Sequence, residues 1–173
     1  MYNGNVKFLE LWEQKISFDD LLFLSKEVQT LNFCESTVFY ENGTIVPYEV
    51  IVANLPKLQN LHVDHSDASY DFSKTVIELL KIPHFKNLQR FSFQDLNDTF
   101  DIEKFFAYLK NFNQTRMNLK FFDSISEEYR EKLQDIVDEI LDGNPFRLYV
   151  PPFIVFVEQL RQNELYDKCE KYF

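Results

Sequence analysis

The chain has 173 residues, enough for one domain with a substantial core, and 45% of them are hydrophobic. A net charge of −10 disfavours a nucleic-acid surface, which is built from clustered Lys and Arg. Three Gly and six Pro against 19 Phe and 9 Tyr argue against a turn-rich sandwich and against Gly-rich phosphate loops, and for bulky aromatic core layers.

A triplet of the form apolar-x-x-apolar-x-apolar occurs at Val6/Leu9/Leu11, Val28/Leu31/Phe33, Leu58/Leu61/Val63 and Leu88/Phe91/Phe93, and more loosely at Met117/Leu119/Phe121. The central residues Leu9, Leu31, Leu61, Phe91 and Leu119 are 22, 30, 30 and 28 residues apart. Each triplet predicts a short strand with one buried face, and helical signals precede the last four. Units of this kind bury their apolar faces only by stacking on one another. The expected fold is therefore an irregular leucine-rich-repeat-like α/β solenoid with a parallel sheet on one face. It forms a single domain over 1–173, with strands near 6–12, 28–34, 58–64, 88–94, 117–122 and 147–150 and a C-terminal helical cap over 153–173.

In chain order, Ser17 and Asp20 form a capping box for a first helix ending near Lys26. Glu41-Asn42-Gly43, between Val38-Phe39-Tyr40 and Ile45-Val46, predicts a tight turn or small hairpin. Pro47 opens a helix whose inner face is Val50, Ile51 and Leu55. Further helices are expected from about Ser73, with Val76, Leu79 and Leu80 inward, and from about Asp101, with Ile102, Phe105, Phe106 and Leu109 inward. The clearest runs from about Ser126 to Leu141 and ends at Asp142-Gly143, read as a left-handed cap. A last strand at Arg147 to Val150 and a helix around Phe153 to Gln162 complete the reading.

The segments "ISFDDLLFLSKEVQTLNF", "IVPYEVIVANLPKLQNLHV", "IELLKIPHFKNLQRFSFQDL", "FDIEKFFAYLKNF" and "ISEEYREKLQDIVDEIL" resemble the C-terminal repeat region of the lineage-expanded nematode proteins of the F-box and F-box-associated (FTH-like) type. That resemblance implies a region that captures a protein partner. The adaptor-binding F-box is not recognisable here, so adaptor binding does not carry over.

The densest group of chemically capable residues is His62-Val63-Asp64-His65-Ser66-Asp67. Imidazole and carboxylate together suit zinc, and a metal-dependent hydrolase using His62, Asp64 and His65 is one alternative function. Strand alternation, however, sends His62 and Asp64 to the face opposite Val63 and leaves His65 in the following turn, so the expectation is no metal. No nucleophile-base-orienter set is visible, and no cofactor is expected. Cys34 and Cys169 lack metal-ligand spacing and are expected to be free thiols. The sequons at Asn42, Asn97 and Asn113 read as turn chemistry. No signal-peptide order and no membrane-length apolar run are present, so the expected location is cytoplasmic or nuclear.

The leading expectation is a non-enzymatic module that binds a protein partner, not nucleic acid or membrane, through the outward residues of the sheet. The candidates are Glu10, Asn32, His62, Arg90, Ser92, Lys120, Arg147 and Tyr149. One expected column runs Glu10, Asn32, His62, Ser92, Lys120, Tyr149, from acidic through neutral to basic and aromatic. Self-assembly through an exposed sheet edge or the terminal helix is the other alternative.

Overall fold

The computed structural model describes residues 6–111, 114–144 and 147–172. Among them lie six α-helices, a six-stranded parallel sheet and a two-stranded parallel sheet. The larger sheet consists of β1 (Phe8–Trp12), β3 (Thr30–Cys34), β5 (Asn60–Asp64), β6 (Arg90–Leu96), β7 (Arg116–Phe121) and β8 (Phe153–Val155), side by side in chain order. The smaller pairs β2 (Lys15–Ser17) with β4 (Thr37–Phe39). The helices are α1 (Phe18–Leu24), α2 (Tyr48–Ala53), α3 (Thr75–Leu79), α4 (Ile102–Leu109), α5 (Glu127–Asp142) and α6 (Gln162–Glu170).

The triplets explain the sheet. Leu31, Leu61 and Phe91 are direct register partners, as are Phe33, Val63 and Phe93. All six are buried, so one face of three successive strands is a continuous apolar surface. The helices add Ile51, Val76, Leu79, Phe105 and Leu133 to the same core. Phe72, Phe85, Phe91, Phe93, Phe100 and Phe105 fill its centre, several meeting edge-on, as with Phe85 and Phe91 at 5.4 Å between ring centroids. Such rings supply the volume that the few small residues leave open.

The fifth strand shifts the expected alignment. Phe91 pairs with Met117 and Phe93 with Leu119, so the true spacing there is 26 residues, 117 minus 91, not 28. After Phe93 the register slips, and the next partners are Leu96 and Phe121. One extra residue in β6 produces this bulge, and Asp95 there adopts φ 63°.

Three expectations about the C-terminal third are corrected. Residues 147–150 are not a strand; the sixth strand is β8, where a helix was expected, and Ile154 is fully buried opposite Leu119. An aromatic and two β-branched residues after Pro151-Pro152 favour extended backbone, and the neighbouring strand supplies the partners that decide it. The helical cap is therefore restricted to α6. Gly143 does not form a left-handed cap, since its φ is −72° and its ψ 176°.

Local polar chemistry fixes the connections. Ser17, Asp101 and Ser126 accept from backbone N–H groups and cap α1, α4 and α5. Gly43 takes φ 81° in the expected turn, and Asn42 accepts from the Thr44 backbone N–H and hydroxyl. Asn97 donates both amide hydrogens, to the Ala68 and Tyr70 carbonyls, each at 2.8 Å. Two of the three sequons thus serve as turn and loop fasteners; Asn113 lies outside the described residues.

Candidate functional site

The face of the sheet opposite the core is a polar surface that the fold organises. Its side chains alternate with the buried ones, and the parallel register lines them up in rows. The row at the strand starts is Phe8, Thr30, Asn60, Arg90, Arg116. The middle row is Glu10, Asn32, His62, Ser92, Asn118, Phe153. The row at the strand ends is Trp12, Cys34, Asp64, Gln94.

Glu10, Asn32, His62 and Ser92 therefore stand together, and Arg90 stands in the adjacent row. Lys120 does not continue the column. It sits opposite Val155, and its ammonium lies 3.8 Å from the Asp95 carboxylate beside the bulge. Arg147 and Tyr149 are not on this face at all. Arg147 donates to the Ile140 carbonyl and stacks over the Tyr149 ring, which meets Phe106 of α4. Asn118 and Phe153 hold the places that Lys120 and Tyr149 were expected to take, and Arg116 stands in the row of Arg90. The missed signal was local, because Arg116-Met117-Asn118-Leu119 repeats the polarity of Arg90-Phe91-Ser92-Phe93 and fixes the alignment without the looser triplet.

Neighbouring strands are tied within the rows by side-chain bonds. Asn60 donates to the Thr30 hydroxyl at 3.0 Å and Asn32 to Glu10 at 3.4 Å. Burial, opposed by Asp64 and Glu10, holds the His62 imidazole below its usual value. The Cys34 thiol is pushed up, first by burial and then by Asp64, Glu10 and Glu35, which suppresses the reactive thiolate. Cys169 is also a free, buried thiol. Phe8, Thr30, Asn32, Asn60, His62 and Arg90 line a trough of about 590 Å³, large enough for several side chains of a partner.

The histidine-carboxylate group divides as strand alternation requires. His62 and Asp64 face outward, whereas His65 is 8% exposed and accepts or donates through Nδ1 at 2.7 Å from the Tyr48 hydroxyl. Tyr70 and Phe72 enclose its ring. Among the described residues no three His, Cys, Asp or Glu side chains gather closely enough to hold a metal ion. No helix among them is long and apolar enough to cross a membrane.

A second depression, about 560 Å³, lies on the helical side between α2 and α3. Val50, Ala53, Ile82 and Pro83 make it mostly apolar, and His84 is anchored to the Val52 carbonyl at 2.8 Å. Burial raises the Glu49 carboxyl at its margin. The chain matches no family model, no curated protein and no solved structure.

Proposed function

We propose that the chain is a leucine-rich-repeat-like solenoid that works as a non-enzymatic protein-interaction module, holding its partner on the outward face of the six-stranded sheet. The observation that carries the reading is the uncovered face itself. Four strands bring polar and aromatic side chains into register around one trough, while every helix contributes residues to the core. A rigid sheet presenting hydrogen-bonding groups beside an aromatic and an arginine suits a protein contact, where a few such anchors dominate the binding energy. The resemblance of the repeat segments to F-box-associated proteins supports the finer proposal that the partner is a substrate or a sequestered protein.

The test compares partner capture by the parent, by Phe8→Ala and His62→Ala on the sheet face, and by Glu128→Ala and Lys86→Ala elsewhere. Calorimetry on the recovered partner should show losses of at least about 1 kcal/mol for the first pair and little change for the second. Losses confined to the second pair would place the binding face on the helical side and overturn the proposal.

A further inference from the structure

Among the described residues β1 is an edge of the six-stranded sheet and pairs only with β3. Its register partners show what it lacks. Leu31 and Phe33, flanked by strands on both sides, are 0% and 1% exposed, whereas Leu9 and Leu11 opposite them are only partly buried. Phe8 and Trp12 of the same strand are 56% and 61% exposed. The opposite edge is guarded. β8 spans only Phe153–Val155, follows Pro151-Pro152, and has α6 against it, with the Phe153 and Tyr166 rings 5.8 Å apart. β1 contains no Pro and pairs without a bulge, so it keeps the form of a strand that accepts a neighbour.

The backbone of β1 has free groups for that neighbour. The Lys7 carbonyl accepts from the Thr30 N–H of β3, and the Glu13 N–H donates to the Cys34 carbonyl. Backbone groups alternate in direction along a strand, so Phe8, Glu10 and Trp12 turn theirs to the open edge. The side chains identify the neighbour. Lys7-Phe8-Leu9-Glu10-Leu11-Trp12-Glu13 complements itself when set against its own reverse. Centred on Glu10, an antiparallel pairing of two copies places Phe8 against Trp12, Leu9 against Leu11 and Lys7 against Glu13, each of them twice. A slide of two residues undoes the Lys7–Glu13 match and sets Phe8 or Trp12 opposite residues outside the strand. A slide of one turns the leucines to the wrong face. The adverse contact is Glu10 against its own copy at the centre, where like charges repel.

We infer that the chain forms a closed twofold dimer in which β1 of one copy pairs antiparallel with β1 of another, joining the two six-stranded sheets into one. The axis stands perpendicular to the sheet, so both outward faces lie on the same side and the two troughs meet at their Phe8 ends. Leu9 and Leu11 gain the second flanking strand that Leu31 and Phe33 already have. The shielded β8 edge stops the assembly at two copies. This contact uses the edge of the sheet and leaves the face to the partner proposed above.

Sedimentation velocity on the full chain, from about 1 μM to about 100 μM, measures the equilibrium. Trp12 is the only Trp, so its emission reports the same contact. A dimer is expected within this range, with the emission moving to the blue as it forms. Lys7→Glu and Glu13→Lys should each weaken it about tenfold, because the twofold axis doubles every change, and the double variant should restore it. Glu10→Gln should tighten it by removing the repulsion at the axis. Lys7, Glu10 and Glu13 are all exposed, so each variant is expected to fold as the parent does, with circular dichroism as the check. A monomer throughout the range, a dimer that the charge reversals leave unchanged, or a double variant no better than the single ones overturns the inference. So does a dimer that leaves the Trp12 emission unaltered, because its contact would lie on another surface. A dimer weakened in Lys7→Glu while partner capture stays intact supports an edge contact separate from the one on the face.

Discussion

His65 shows how one buried side chain couples the fold to pH. Burial lowers its affinity for a proton, and Asp67, Asp95 and Asp64 only partly oppose this. Burial also pushes the Tyr48 hydroxyl far up, so it stays protonated in its bond to His65 Nδ1. The unfolded chain therefore takes up a proton at a higher pH than the folded one. Stability from this site is complete above the ordinary value of 6.5 and is lost as pH falls through and below it. Thermal midpoints measured from about pH 7.5 down to about pH 5 should drop more steeply for the parent than for His65→Phe, which keeps an aromatic ring but cannot titrate. Parallel curves would show that His65 contributes nothing to the pH dependence. The sequence indicated that His65 leaves the strand pattern, but not that it turns inward. Its cage is assembled from Tyr48, Tyr70 and Phe72, on segments whose contacts only the folded chain defines.

At the scale of elements, two glycines illustrate different constraints behind one residue type. Gly43 sits at φ 81° with open space around its α-carbon, so its constraint is backbone conformation alone. Gly143 has an ordinary backbone angle, but a Cβ there would lie 2.5 Å from the Glu139 carbonyl oxygen that its own N–H bonds. Gly43→Ala should cost about 1 kcal/mol, with Gly43→Asn recovering part of it, because Asn tolerates the left-handed region. Gly143→Ala should cost about 1–3 kcal/mol through overpacking, with no recovery by Asn. Urea unfolding of the four variants checks this, and recovery by Asn at position 143 would refute the steric account. Long periodic elements such as α5 were legible because the apolar stripe and the Ser126 N-cap agree. The three-residue strands β2 and β8 were not, because Lys15-Ile16-Ser17 or Phe153-Ile154-Val155 becomes a strand only when another segment offers its backbone partners.

For the whole molecule, strand spacing carried most of what could be read in advance. Leu31, Leu61 and Phe91 fell into register as their equal intervals required, whereas the looser fifth triplet, aligned two residues late, misplaced Lys120 in the candidate site. The equal interval has a further consequence: between β3 and β6 the chain is divisible. Excising the 30 residues 63–92 joins His62 to Phe93, and every side chain of the merged strand still faces the side it faced before. Excising only the 29 residues 63–91 joins His62 to Ser92 and turns the second half of that strand inside out. The first chain is expected to fold with one strand fewer and melt cooperatively at a lower temperature, the second to lose its cooperative transition in circular dichroism. Equal behaviour of the two would mean that phase does not govern the sheet. If they differ as expected, lengthening or shortening by whole periods is a change this chain absorbs more readily than the loss of a single residue within a strand.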